Sequence, residues 1–253
     1  MSHAINPKGP RVYAPATGPM AWVNTFLFSS VGQKILVALS GSGLVVFLVF
    51  HMIGNLKVFS GQESLNKYAA FLKHDLGALI WIARAGLLGM FGLHLIVAIR
   101  LQWMAKAARP IGYVQHKTAQ ASIAAKTMIW TGLVTLAFVI FHLAHFTFGW
   151  VQGVEVEGSY TSFLDLKDSQ GHADVYRMVV VGFQTPWVSA IYIVCQILLF
   201  IHLSHGIASS LQTLGLVGKR FAPAAVALGY AVAGIVFVGN LAIVVAIWTG
   251  YVK

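Results

Sequence analysis

The chain has 253 residues, of which 58% are hydrophobic and only 9% are charged. An ordinary soluble domain carries about 25% charged residues, and so few charges cannot cover the water-exposed surface of a chain this long. The mean hydropathy of +0.77 agrees with the low charge. The composition therefore excludes a water-soluble globular enzyme and indicates a membrane protein with several spans.

The formal net charge of +10 does not indicate nucleic-acid binding. The basic residues lie at the ends of apolar runs, where the positive-inside rule places them. The chain contains one cysteine, Cys195, and it lies inside an apolar run. One cysteine cannot build a disulfide framework, a cysteine zinc site or a cysteine-ligated iron–sulfur cluster, so these classes are excluded as well.

The sequence begins with an arm, residues 1–27, which we expect on the cytoplasmic side and which lacks the pattern of a cleaved signal peptide. Residues 28–253 are predicted to form one membrane domain with five apolar segments. Each segment is long enough, at about 1.5 Å per residue, to cross roughly 30 Å of hydrocarbon as a helix. We therefore predict an all-α integral membrane bundle. Its spans are predicted at about residues 35–54, 78–103, 127–150, 187–211 and 222–248.

The distribution of charge predicts the orientation of the bundle. The connection between the second and third spans contains five basic residues and no acidic one, from Arg100 to Lys126. The loop from Val151 to Thr185 instead holds five acidic residues against two basic ones. The positive-inside rule then predicts that the N-terminus lies inside and the C-terminus outside.

Six of the ten histidines lie inside the apolar segments. Ionisable residues in a membrane span are costly and are functional candidates by default, although a neutral histidine can also form a hydrogen bond between helices. Four of the five segments carry at least one histidine and the fifth carries none, which favours a shared role. The six are His51, His94, His142, His145, His202 and His205.

The depth of each histidine follows from its distance along its helix. His51 lies 16 residues after Ile35, which is about 24 Å into an ascending helix, and the other positions follow in the same way. The histidines then sort into two levels. The outer level contains His51 with His142 or His145, and the inner level contains His94 with His202 or His205.

Two imidazoles from facing helices at one height are what bis-histidine haem ligation requires. Zinc would prefer four ligands, often cysteine or carboxylate, and a proton relay would usually include an acid within the spans. The sequence has no CxxCH motif, so the predicted haems are of b type. Arg84, near the outer end of the second span, is a candidate partner for a haem propionate.

Six short stretches of the sequence form a set. They are Ser-Ser-Val-Gly-Gln-Lys at 29–34, Leu-Ser-Gly at 39–41, His-Met-Ile-Gly-Asn-Leu at 51–56, Phe-His-Leu at 141–143 with Phe146, Ser-His-Gly at 204–206 and Gln-Thr-Leu-Gly at 212–215. This set resembles the single-chain, five-helix, dihaem cytochrome b anchor of succinate dehydrogenase and fumarate reductase. The resemblance covers roughly residues 25 to 250.

The resemblance implies which histidines bind iron. His142 follows an aromatic residue and His205 precedes a glycine, as the family's ligands do, so the implied pairs are His51 with His142 and His94 with His205. His145 and His202 are left as candidates for contacts with propionates or quinone, or for hydrogen bonds across the bundle. Some family members have a glutamate where this chain has Leu203, so we do not expect the proton route that depends on that glutamate.

The resemblance also implies the function. The chain would be the electron-transfer and quinone-reactive subunit of succinate:quinone oxidoreductase (respiratory complex II), which takes part in the tricarboxylic acid cycle. A flavoprotein subunit with FAD and an iron–sulfur subunit would dock on the cytoplasmic side of a bacterial inner membrane, and quinone, menaquinone in many dihaem members, would exchange the electrons. The quinone-binding candidates are Ser30, Lys34, Ser122, Lys126 and Glu63.

Two other readings remain open at this point. One is the haem b anchor of another quinone-linked dehydrogenase or of a hydrogenase, although those anchors place their ligands differently. The other is a haem-free five-span transporter, which would favour broken helices and carboxylates in mid-membrane. A reduced-minus-oxidised spectrum separates the second reading from the first.

Overall fold

The computed structural model describes residues 18–108, 123–156 and 158–253. In these ranges the chain is mainly α-helical, and its one hairpin of two short antiparallel strands pairs Gly153 with Ser162 and Val156 with Ser159. The helices are α1 Ala21–Phe28, α2 Ser30–Asn55, α3 Gln62–Ala70, α4 Ala78–Ala107, α5 Ile123–His142, α6 Val175–Gln184, α7 Pro186–Thr213 and α8 Ala222–Trp248, and the strands are β1 Gly153–Val156 and β2 Ser159–Ser162.

Five of the helices are long and apolar enough to cross a membrane. Together with the short turns that extend them, they cover Ser30–Ser60, Ala78–Ala107, Ala125–Thr147, Pro186–Thr213 and Lys219–Trp248. The prediction of a helical bundle with five apolar spans is therefore confirmed.

All five spans differ from the predicted bounds by a few residues, and two of the differences have local reasons. The first helix begins at Ser30 rather than Ile35, because the side chain of Ser29 accepts a hydrogen bond from the backbone N–H of Gly32 at 3.0 Å and caps the helix there. The third span ends at Thr147 rather than 150. Its last turn, Leu143–Thr147, is a wide π-helical turn that closes with a bond from Phe148 N–H to Leu143 O.

The spanning helices pack around α2 and α7. Helix α8 packs chiefly on α7, α5 on α7, and α4 on α2, while α2 and α7 also contact each other. The interior between α2, α7 and α8 is filled by apolar side chains such as Met52, Leu199, Leu203 and Val236. The helices that carry the histidines, α2, α4, α5 and α7, are thus held side by side in one bundle.

One end of the bundle, which we call the hairpin end, is covered by α3, the β-hairpin and α6. Asn66 of α3 is fully buried there. Its Nδ2 donates to Asp174 Oδ1 at 3.0 Å and to Asp168 Oδ2 at 3.1 Å, and its Oδ1 accepts from the backbone N–H of Tyr176. This buried amide ties α3 to the start of α6, within the loop that the sequence predicts only as an acidic connection.

The carboxylates that Asn66 contacts also organise the loop itself. Asp174 is 4% exposed, and it caps α6 by accepting from Arg177 N–H at 3.1 Å. Asp168 accepts from the backbone N–H groups of Gln170 and His172, each at 2.9 Å. Burial acts to raise the pKa of Asp168, but the bonds from His172, Asn66 and Gln170 outweigh it, so this pKa lies below its ordinary value.

The other end, which we call the basic end, carries the starts of α2 and α5 and the α7–α8 connection. Lys34, Lys126, Lys219 and Arg220 are all exposed at this end. On α4, the guanidinium of Arg100 lies over the ring of Phe28, 4.9 Å from its centroid. With its amide oxygen facing Arg100, the buried Gln33 accepts from Arg100 Nη1 at 3.1 Å, so α1, α2 and α4 are fastened together here.

Candidate functional site

The structure brings the six histidines together in two clusters at different heights. The hairpin-end cluster contains His51 of α2 with His142 and His145 at the end of α5. The basic-end cluster contains His94 of α4 with His202 and His205 of α7, and His202 is a neighbour of the other two. The members of each cluster are those that the depth argument places together.

In the hairpin-end cluster, the rings of His51 and His142 lie 5.8 Å apart between centroids, with their planes at 89°. The ring of His51 also stacks on Phe47 at 5.3 Å. The separation of the two imidazoles is of the order that two metal–nitrogen bonds of about 2 Å on opposite sides of one ion require. The two imidazoles thus approach each other from separate helices.

The hydroxyl of Tyr192 contacts both His142 and His145. It is 3.2 Å from Nδ1 of His142 and 3.1 Å from Nδ1 of His145. The second nitrogen of His145, Nε2, is 3.0 Å from Oε1 of Gln152. His145 is fully buried and has both nitrogens bonded, whereas His142 is bonded through Nδ1 alone among the described residues.

In the basic-end cluster, the partners of His94 determine its tautomer. Its Nδ1 lies 3.2 Å from the backbone oxygen of Val37, which can only accept, and 3.4 Å from Oγ of Ser40, whose own hydrogen is donated to Leu36 O at 2.6 Å. Nδ1 therefore carries the proton, and Nε2 carries the lone pair. A neutral imidazole held in this way is the usual form of a metal-binding histidine.

The same reasoning applies to His202. Its Nδ1 lies 3.2 Å from Oγ1 of Thr131, and that hydroxyl donates to the backbone oxygens of Thr127 and Met128. The His202 Nδ1 must then donate, so the lone pair of this neutral ring lies on Nε2. His205 makes no hydrogen bond to the residues that the structure describes.

Two glycines allow the basic-end rings to lie against neighbouring helices. A Cβ added at Gly41 of α2 would lie 3.0 Å from Cε1 of His94, and one added at Gly132 of α5 would lie 3.3 Å from Cε1 of His202. A side chain at either position would push the imidazole away. The helices thus cradle both rings without enclosing them in bulky side chains.

The remaining predicted site residues lie farther from the histidine clusters. Arg84 is exposed, and its guanidinium lies over the ring of Trp81, 4.9 Å from the centroid. Glu63 is exposed at the hairpin end and pairs with Lys67 at 2.6 Å; this hydrogen bond and the charge of Lys67 hold the pKa of Glu63 below its ordinary value. Glu63 is therefore not near the other quinone-binding candidates.

Three of the other candidates lie at the basic end. Ser30, Lys34 and Lys126 are exposed at the starts of α2 and α5. Ser122 lies outside the described residues. The structure thus places the quinone-binding candidates at two opposite ends of the bundle.

The polar partners of the histidines, Tyr192, Gln152 and Thr131, are not predicted from the sequence. Tyr192 and Thr131 lie within apolar helices, and such isolated polar residues facing a histidine-bearing helix are the only signal that the sequence contains for them. Comparisons of the chain with family models, with curated proteins and with solved structures find no match.

Proposed function

We propose that this chain is the dihaem cytochrome b membrane anchor of a succinate:quinone oxidoreductase, as its sequence motifs suggest. The observation that carries the proposal is the pairing of histidines from different helices at two heights. His51 of α2 lies beside His142 of α5, and His94 of α4 is a neighbour of His202 on α7. At each height one ring, that of His94 or of His142, has its Nδ1 bonded, which is how a metal-binding histidine is usually oriented.

In this proposal, His51 and His142 hold the haem at the hairpin end, and His94 and His205 hold the haem at the basic end. A haem iron with two imidazole ligands supplies reversible one-electron transfer. The chain's own contribution is to hold the four imidazoles at fixed heights and to bury them among apolar helices. Two such sites at different depths would conduct electrons between the two faces of the membrane.

The hydrogen bond from His202 to Thr131 favours a second candidate for the fourth ligand. His202 has the bonded Nδ1 of an oriented ligand and is a neighbour of His94. His205 is supported instead by the sequence motif Ser-His-Gly, and it makes no hydrogen bond within the described part of the chain. Haem content separates the two candidates, because only replacement of the true ligand should remove the basic-end haem.

The exposed charge of the basic end supports the proposed orientation and partners. Lys34, Lys126, Lys219 and Arg220 together form a positive surface, which the positive-inside rule places in the cytoplasm of a bacterium. The FAD-containing flavoprotein subunit and the iron–sulfur subunit would dock on this surface, helped by its charge. The anchor would then be the non-catalytic subunit that passes electrons between the iron–sulfur subunit and quinone.

Quinone, menaquinone in the expected case, would bind where polar side chains meet the membrane boundary. Ser30, Lys34 and Lys126 offer hydroxyl and ammonium donors at the basic end, and we retain Ser122 of the same connection as a candidate. Glu63 is the candidate at the hairpin end, with its carboxylate already paired to Lys67. The two haem heights would allow quinone chemistry at either end.

The test is a reduced-minus-oxidised spectrum of the purified chain, with the haem content measured per chain. We expect a b-type α-band and two haems per chain. The absence of this band would overturn the proposal and favour a haem-free membrane protein. Copurification should also recover a flavoprotein and an iron–sulfur protein, whereas a different soluble dehydrogenase or a hydrogenase would identify another quinone-linked complex.

A further inference from the structure

Tyr192 is placed differently from every other polar residue near the histidines. It is 5% exposed in the middle of the bundle, and its hydroxyl is shared between Nδ1 of His142 and Nδ1 of His145. The aromatic rings of Phe138 and Phe183 pack edge-on against it at 5.1 and 4.9 Å. The hydroxyl is thus held in one position by the surrounding rings.

The donor and acceptor in each of these hydrogen bonds can be assigned by starting from Gln152, the residue farthest from His142. The Nε2 of Gln152 lies 3.4 Å from the backbone oxygen of Val181, which can only accept, and 2.7 Å from Oγ1 of Thr185. The amide oxygen of Gln152 therefore faces His145 and accepts, at 3.0 Å, from the Nε2–H of that ring. A neutral His145 that donates from Nε2 must accept at Nδ1.

The rest of the chain then has one consistent arrangement. The Tyr192 hydroxyl donates its single hydrogen to His145 Nδ1, so its oxygen accepts from His142 Nδ1–H. His142 is thereby fixed in the tautomer whose Nε2 carries a lone pair. The residues Gln152, His145 and Tyr192 act in sequence on His142, although none of them needs to touch the metal.

We propose that Tyr192 is a positioning residue for the hairpin-end haem, which it serves by accepting the Nδ1–H of His142; this inference rests on the proposed function. An acceptor on the outer nitrogen fixes the ring and makes the ligand more basic. The acceptor is strengthened because its own hydrogen is donated to His145, since hydrogen bonds in a chain polarise one another. A more basic ligand favours the oxidised iron, so Tyr192 lowers the midpoint potential of this haem.

The basic-end haem provides an internal control. The acceptor for His94 is the backbone oxygen of Val37, and substitution of Tyr192 does not alter it. A change at Tyr192 should therefore affect one haem and leave the other as it was. A general loss of structure would affect both.

The experiment is a redox titration of the purified complex that carries Tyr192→Phe, with electron paramagnetic resonance spectra of the oxidised haems. The substitution keeps the ring and removes only the hydroxyl. We expect two haems per chain, a higher midpoint potential and altered g-values for the haem that His142→Ala eliminates, and no change for the other haem. Tyr230→Phe, which alters a half-exposed ring on α8, is the matched control and should change neither haem.

The outcomes separate this inference from the proposed function. A wild-type chain without haem overturns both. Two haems with unchanged potentials and spectra in Tyr192→Phe overturn the role of Tyr192 and leave the proposed function standing. Selective loss of the hairpin-end haem supports the role.

If Tyr192→Phe does not assemble, Gln152→Leu tests the same inference. This substitution removes the acceptor of the His145 Nε2–H, so His145 is no longer fixed in one tautomer. Two haems with a broadened or shifted signal from the hairpin-end haem alone support the inference. An unchanged signal from this variant overturns it.

Discussion

The imidazoles of His51 and His142 lie 5.8 Å apart between ring centroids and nearly perpendicular to each other, although α2 and α5 are held together mainly through α7. Under the proposed function these two rings hold one iron between them. We therefore expect His51→Ala and His142→Ala each to reduce the haem content from two to one per chain. The double variant should also retain one haem, since both residues belong to the same site.

The pairing would be contradicted if the two substitutions removed different haems. If the double variant lost both haems while each single variant lost a different one, the proposed pairing would be wrong. The α-band and haem content of the purified variants provide the measurement.

His145 is the matched control for His142, because it lies one turn away and contacts the same tyrosine. Its two nitrogens are already bonded to Tyr192 and Gln152, so we expect His145→Ala to keep both haems. The substitution leaves buried partners without hydrogen bonds and should cost about 1–3 kcal/mol of stability. Haem content and thermal unfolding in detergent check the two parts of this prediction, and loss of one haem from a folded variant would refute the first.

The haem content of alanine variants also shows which of His202 and His205 is the ligand. Of His202→Ala and His205→Ala, the variant that replaces the ligand should lose the basic-end haem, as His94→Ala should. The variant that replaces the other histidine should keep two haems. If His202 is the ligand, Thr131→Val should alter the spectrum of that haem, since Thr131 is the acceptor for His202 Nδ1. If His205 is the ligand, Thr131→Val should leave the iron coordination unchanged. Retention of two haems in both histidine variants would remove α7 from the basic-end site.

Asn66→Ala should destabilise the hairpin end. The amide of Asn66 is the buried donor that reaches both Asp174 and Asp168, and its loss leaves the buried carboxylate of Asp174 with fewer donors. We expect a cost of about 2 kcal/mol, as for other hydrogen bonds to charged groups, seen as a lower midpoint of thermal unfolding. Glu63→Gln is the control, because its exposed pair with Lys67 should contribute little. Equal midpoints for Asn66→Ala and the wild type would contradict this account.

Acid should weaken the same end of the molecule. The pKa of Asp168 lies below its ordinary value in the folded chain, so the unfolded chain binds more protons as the pH falls. The stabilisation by this carboxylate is complete above the ordinary pKa of about 4 and is lost as the pH falls through the lower, folded-state pKa. Thermal unfolding measured from pH 7 to pH 3 should show this decline, and Asp168→Asn should flatten it. An equally steep decline in the variant would assign the acid sensitivity to other groups.

Hydropathy and counting along the chain are enough to predict a bundle of five apolar helices and two levels of histidines. Hydropathy and the rise of a helix are local properties, so the apolar runs predict five spans, and counting along each run places His51 and His142 at one height and His94 at another. The caps that set the ends, such as Ser29, shift these spans by only a few residues.

The tertiary structure alone decided which ring nitrogens are occupied. Tyr192 is 50 residues from His142 and 47 from His145 along the chain, and the three meet only because α5 packs against α7. The buried link from Asn66 to Asp174 likewise joins residues 108 positions apart. Hydrogen bonds of this kind depend on the rotation and separation of packed helices, which no periodicity in a single segment contains, and they distinguish a histidine that is free to bind iron from one that is already bonded.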